Sequence, residues 1–180
     1  MDVLGIDQSL TCTGLAKTTP AGVVVTTRIK TSPSGGELGD TRRRIRYIVG
    51  QVLRFAPTEC VTVIEAPIVI RNGQGGAQLE RAWLFGLLVD QLIIHGPIAQ
   101  VRTKTRAMYA TGNGNADKPE VLAAIRDSFP DLTVPDDNVA DAVALCAMGA
   151  RWVGAPIDGV PGKKQMAAMV AVHWPEVTRG

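Results

Sequence analysis

Residues 2–18 read DVLGIDQSLTCTGLAKT, and the fold is decided there. The apolar run at 2–6 is too short for a helix and reads as a buried strand that stops at Asp7. Residues 13–18 (TGLAKT) and 21–29 (AGVVVTTRI) carry β-branched side chains and are joined through Thr-Pro, which predicts a hairpin-linked pair. A Ser/Pro/Gly loop at 31–37 follows. From Asp40 to Phe55 the positions Ile45, Ile48, Val49, Val52 and Leu53 recur at helical spacing, with Asp40 as the expected cap.

A second buried strand, CVTVI at 60–64, ends at Glu65 and Pro67, before a glycine-rich loop, IRNGQGGAQ. Residues 77–94 predict a helix apolar on nearly every face, a pattern that requires burial on two sides and suggests a subunit interface. PIAQVR at 97–102 reads as another buried strand. TGNGNAD at 111–117 reads as a polar loop, and 118–128 as a helix with Pro119 in its first turn. An alanine-rich helix over 138–153 and a short one near 163–173 close the chain. Three antiparallel-type strands followed by alternating helices and strands predict an α/β architecture, a five-stranded mixed sheet flanked by helices.

The composition agrees with a globular domain. Of 180 residues, 46% are apolar and 20% charged, which excludes wholesale disorder, and aromatics at 4% leave an aliphatic and alanine core. Residues 82–94 are too short and too polar to span a bilayer. The start, MDVLGIDQ, has an acid at position 2 and no basic run, so no signal peptide is expected and the location expected is cytoplasmic. Cys12, Cys60 and Cys146 have neither zinc spacing nor an even count, and read as reduced thiols. Net charge is only +2, but it is unevenly spread. Arg28, Lys30, Arg42, Arg43, Arg44, Arg46 and Arg54 crowd one stretch, and Arg102, Lys104 and Arg106 another. Residues 127–141 hold five aspartates and no Lys or Arg. Basic faces beside an acidic spot suit a polyanion gripped around a metal centre.

Asp7 and Glu65 each end a short buried strand. A strand–helix–strand crossover makes such strands parallel and neighbouring, with their carboxyl ends on the edge where open α/β sheets place their sites. Asp141 adds a third acid one turn into a helix whose flanking Ala140 and Ala142 permit close approach to the sheet. Converging carboxylates make a hard oxygen site suited to Mg²⁺ or Mn²⁺, and two such ions about 4 Å apart can activate water and stabilise a phosphodiester leaving oxygen. Ser9 and Thr11 read as turn residues, since no His is placed as their base.

Four segments resemble RuvC-type Holliday-junction resolvases of the ribonuclease-H-like superfamily. VLGIDQSLTCTGLA is similar to that family's first strand and turn, VTVIEAP to its second acidic strand, GNGNADK to its GxGxAxK loop, and NVADAVALCA to its last helix. The resemblance covers roughly residues 1–152, in the family's order. It implies a ribonuclease-H-like nuclease domain over 1–153, with 154–180 an extension of unassigned role. It implies a homodimer through helix 77–94 and a two-metal mechanism nicking four-way DNA junctions symmetrically. It places Asp7, Glu65 and Asp141 as metal ligands and catalytic acids, and Lys118 at the scissile region. Arg102, Lys104 and Arg106 fall where the family carries DNA-binding cations, and Arg71 in the glycine-rich loop is counted with them. The setting it implies is a bacterial or phage-infected cell.

The chain departs from that pattern in two places. Where the family has an acid or His three positions before the last Asp, this chain has Asn138, so the fourth ligand is Asn138 or the neighbouring Asp137. Where the family has an aromatic wedge, Ile68, Val69 and Ile70 stand instead. Other ribonuclease-H-like nucleases, acting on flaps, forks or RNA–DNA hybrids, and a catalytically weakened branched-DNA-binding protein remain alternatives on sequence grounds. An actin-like sugar kinase would need more than twice this length.

Overall fold

The structure is a computed structural model that describes residues 1–33, 35–67 and 75–176. The described elements are β1 (Asp2–Asp7), β2 (Cys12–Thr18), β3 (Val24–Lys30), α1 (Leu38–Phe55), β4 (Cys60–Glu65), α2 (Gly75–Leu92), β5 (Ile98–Val101), α3 (Thr103–Thr111), α4 (Lys118–Ser128), α5 (Asp137–Trp152) and α6 (Lys163–Val170). The five strands form one sheet in the order β3-β2-β1-β4-β5, antiparallel across β3, β2 and β1 and parallel across β1, β4 and β5. This is the five-stranded mixed sheet the sequence predicts. Arg71 and the aliphatic triplet at 68–70 lie outside the described residues.

Strand alternation divides the core in two. Leu4, Ile6, Leu15, Ile29 and Ile64 face α1 and α2, packing with Ile45, Ile48, Leu84, Leu88 and Leu92. Val3, Ala16, Val61, Val63, Ala99 and Val101 face the other way, onto α5 and the helices around it. By the same parity Asp7 follows Val3 and Gly5, and Glu65 follows Val61 and Val63. Both acids therefore lie on the α5 side of the sheet.

Helix α5 runs directly across β1 and β2, buried at every position from Val139 to Ala150. Glycines on the sheet make this possible. A Cβ on Gly5 would lie 2.5 Å from Cys146 N and closer still to Ala142 O, and one on Gly14 would lie 2.9 Å from Val139 N. Gly149 returns the fit from the helix side, where a Cβ would meet Val3 and Val63 at 2.5 and 2.7 Å. The alanines of α5 signalled this approach in the sequence; its glycine partners in β1 and β2 did not stand out.

Several boundaries differ from expectation. Helix α1 begins at Leu38 with Glu37 as its cap residue, so Asp40 is not the cap. It sits inside the first turn, where a carboxylate favours the helix dipole, and pairs with Arg43. Helix α3 has no counterpart in the sequence reading. It has nine residues, and its buried side includes Arg106 beside Ala107 and Tyr109, which hides the apolar period. Its end is set by Gly112, in the left-handed region at φ 77°.

The segment beyond 153 is not separate in packing. Ala168, Met169 and Val172 are buried in the same core as α5, with Ile157 and Trp174 against it. Trp152 and Trp174 meet edge-to-face at 5.7 Å. The buried Tyr109 donates its hydroxyl proton to Asp158 at 2.7 Å and accepts from Arg151 Nε at 2.9 Å, while Arg151 also pairs with Asp158. This chain of contacts ties the C-terminal segment to α3 and α5.

Candidate metal centre

Parallel pairing of β1 with β4 sets Ile6 opposite Ile64, so the next residues, Asp7 and Glu65, stand side by side at the strand ends. Asp141 arrives from α5. Its height above the sheet is fixed by Asp136, whose side chain accepts from Val139 N at 3.1 Å as the N-cap and pairs with Arg28. With Asp136 as cap, Asp137 and Asn138 occupy the first turn and Asp141 lies one turn further in. One oxygen each from Asp7, Glu65 and Asp141 lie within 4.8 Å of one another.

The environment of these acids is costly for charge. Burial and the neighbouring Glu65 carboxylate push Asp7 up to about 7, against the opposing pull of Arg106 and Lys118. Glu65 Oε1 accepts a hydrogen bond from the Thr103 hydroxyl at 2.9 Å. Glu65 Oε2 is buried and has no aligned hydrogen bond. Three carboxylate oxygen donors this close together fit a hard divalent cation such as Mg²⁺ or Mn²⁺.

Arg106 corrects one expectation. It is not a surface cation: only 6% of its side chain is exposed, and its Nε lies 2.9 Å from Glu65 Oε2 while Nη1 pairs with Asp141. The reason is α3, which starts directly after β5 at the same sheet edge and turns Thr103 and Arg106, three apart, toward Glu65. The T-x-x-R spacing in TKTR was the available signal, but it has meaning only once a helix is placed there. Arg102 and Lys104, on the outer side of the same turn, are exposed as expected.

Lys118 opens α4, held by a capping box in which Asp117 and Glu120 satisfy each other's backbone N–H groups at 2.9 and 2.8 Å. Its side chain is 70% exposed and pairs with Asp137, which holds Lys118 above and Asp137 below their ordinary ranges. Asp137 is thus engaged by Lys118 and lies outside the three-carboxylate group. Asn138 donates its amide to Asp137 Oδ1 at 3.4 Å.

A sheet of order β3-β2-β1-β4-β5, with acids brought together from β1, β4 and α5, has the architecture of a ribonuclease-H-like fold. Comparison with solved structures agrees. The chain matches Thermus thermophilus RuvC with a TM-score of 0.59 and 20% identity, over 88% of this chain and 100% of that one. It matches T. thermophilus RuvC in complex with Holliday junction substrate at a TM-score of 0.62 and 23% identity, over 88% and 99%. The yeast mitochondrial Holliday junction resolvase Ydc2 aligns at a TM-score of 0.57 and 11% identity, over 85% and 79%. No family model and no curated protein matches the chain. The likeness is therefore one of fold.

Proposed function

We propose that this chain is a metal-dependent, structure-selective endodeoxyribonuclease that resolves four-way DNA junctions by paired symmetric nicks. The observation that carries the reading is the convergence of Asp7, Glu65 and Asp141 within 4.8 Å at the strand ends, in a fold similar to that of a protein solved on a Holliday junction. Asp7, Glu65 and Asp141 would hold Mg²⁺ or Mn²⁺, two ions per site, with Asn138 or Asp137 as the fourth ligand. Bound there, the metal supplies water activation and stabilisation of the leaving oxygen of the phosphodiester.

The remaining roles belong to side chains. Thr103 orients Glu65. Lys118, exposed at the rim, is placed to meet the scissile phosphate, and Arg102 and Lys104 track the backbone around it. Phosphate contacts then dominate affinity, so binding falls steeply with salt. The homodimer is proposed through α2. Its Leu84, Leu88 and Leu92 are buried in the core, whereas Leu79 is 72% exposed. Trp83 and Leu87 line an open groove of about 400 Å³ with Arg42, Arg46, Val49 and Leu53 of α1. Two sites at a fixed separation select strands by branched shape. No described helix is long and apolar enough to cross a membrane, and the cytoplasm of a bacterial or phage-infected cell is the proposed setting.

The test is incubation of the purified chain with an immobile four-way junction, a linear duplex, a flap and an RNA–DNA hybrid, with Mg²⁺, Mn²⁺, Ca²⁺ or EDTA. Paired symmetric nicks in the junction, absent with EDTA and in Asp7→Asn, are expected. Cleavage of the flap or hybrid alone would retain the metal centre and refute junction resolution.

A further inference from the structure

We propose that Arg106 is the resident counter-cation of the carboxylate centre and competes with divalent metal for Glu65 and Asp141, so that metal loading requires its guanidinium to withdraw. The inference rests on the metal-centre reading above and assigns its control to a side chain of α3.

Four observations support it. Arg106 is 94% buried by side-chain area, and it is aimed at the carboxylates from inside the protein. It touches two of the three acids at once, Glu65 through Nε at 2.9 Å and Asp141 through Nη1. Neither of these nitrogens makes an aligned hydrogen bond, and nor does Glu65 Oε2. The guanidinium is therefore held by charge and not by the two-pronged geometry that makes Arg–carboxylate pairs strong. Finally, Thr103 donates to the other Glu65 oxygen, Oε1, so the oxygen Arg106 faces, Oε2, is the one that accepts no hydrogen bond.

The electrostatics follow. Three carboxylates this close, Asp141 buried and Asp7 and Glu65 partly so, are unfavourable without a cation, and one guanidinium offsets part of that cost in the metal-free chain. A divalent ion brings more charge to the same oxygens. Arginine stays protonated at any working pH, so it cannot yield by losing its proton. It must move away from Glu65 Oε2 and Asp141, and the work of moving it is subtracted from metal affinity. Arg106 thereby keeps the empty centre folded and raises the metal concentration needed to fill it.

The experiment compares the full-length wild type with Arg106→Met and Arg106→Lys after EDTA treatment. Mn²⁺ affinity is measured by calorimetry, and melting temperature with and without Mn²⁺. Arg106→Met is expected to melt below wild type without metal, to gain more from Mn²⁺ than wild type does, and to bind Mn²⁺ roughly tenfold or more tightly. Arg106→Lys, with a single-headed ammonium on a different reach, should bind Mn²⁺ with intermediate affinity. If Arg106→Met does not fold even with Mn²⁺, the lysine variant decides, and binding no tighter than wild type overturns the proposal. Equal or weaker Mn²⁺ binding in Arg106→Met overturns it too, because Arg106 would then support the ligand set. If no chain binds Mn²⁺, wild type included, the metal-centre reading itself fails, and the inference falls with it.

Discussion

Asp7→Asn should stabilise the metal-free protein while abolishing cleavage. Asp7 has its carboxyl buried beside Glu65 and is raised from 3.8 to about 7. A carboxyl whose folded value is raised contributes stability that is complete below the unfolded value and is lost as pH climbs through the folded one. At about 1.4 kcal/mol per pH unit, the interval from 3.8 to about 7 amounts to about 4 kcal/mol lost by pH 8. Asparagine keeps the shape, carries no charge and offers an amide donor to the neighbouring carboxylates. It should recover part of that loss near pH 8 and much less near about pH 5. Relaxation and water entry make the full figure a ceiling, but even about 1 kcal/mol moves the melting temperature of a chain this size by about 2–4 °C. The assay is thermal or urea unfolding of both chains in EDTA at the two pH values, repeated with Mg²⁺. Wild type should regain stability with Mg²⁺, and the variant should not. An asparagine variant that melts at or below wild type near pH 8, or whose advantage is the same at both pH values, would refute the burial and repulsion argument. Loss of junction binding would show that Asp7 is structural.

Other substitutions probe the supports of the site. Gly5→Ala should cost about 3 kcal/mol or more in denaturant unfolding, because its methyl meets the backbone of Ala142 and Cys146, which cannot turn aside. Gly39→Ala, in the first turn of α1 with only Arg43 nearby at 3.6 Å, should be neutral or slightly stabilising in the same assay. Tyr109→Phe should cost about 1–3 kcal/mol, since Arg151 and Asp158 each lose a part-buried hydrogen bond; a melting temperature equal to wild type would show that the C-terminal segment is not anchored there. Lys118→Met should lower junction cleavage by about a hundredfold or more with little change in unfolding, because its pair with Asp137 is exposed. A large loss of stability with cleavage intact would make Lys118 a scaffold residue.

Much of this protein was legible from its sequence because the relevant signals are local or periodic. Short apolar runs ending in Asp7 and Glu65 announced two buried strands, and the intervening helix made them parallel, so the pairing of the two acids followed from topology alone. The place of Asp141 one turn into a helix of small residues, between Ala140 and Ala142, marked the third acid. What lay beyond reach was any feature that depends on which face a short element turns inward. Arg106 sits in a basic cluster that reads as surface charge, and a nine-residue helix has too few turns to declare its buried side. Its direction is chosen by docking on α5 and α6, and by Gly112 ending the helix. The same holds for Gly5 and Gly14, whose missing side chains acquire a purpose only when α5 lies across them, and for the C-terminal segment, which joins the core through Tyr109, Arg151 and Asp158. The sequence by itself determined the sheet, its order of elements and the three acids, because alternation and chain crossover are properties of neighbouring residues. The tertiary structure alone decided that a cation lies among those acids, because burial of charge is settled by packing between elements distant in the chain.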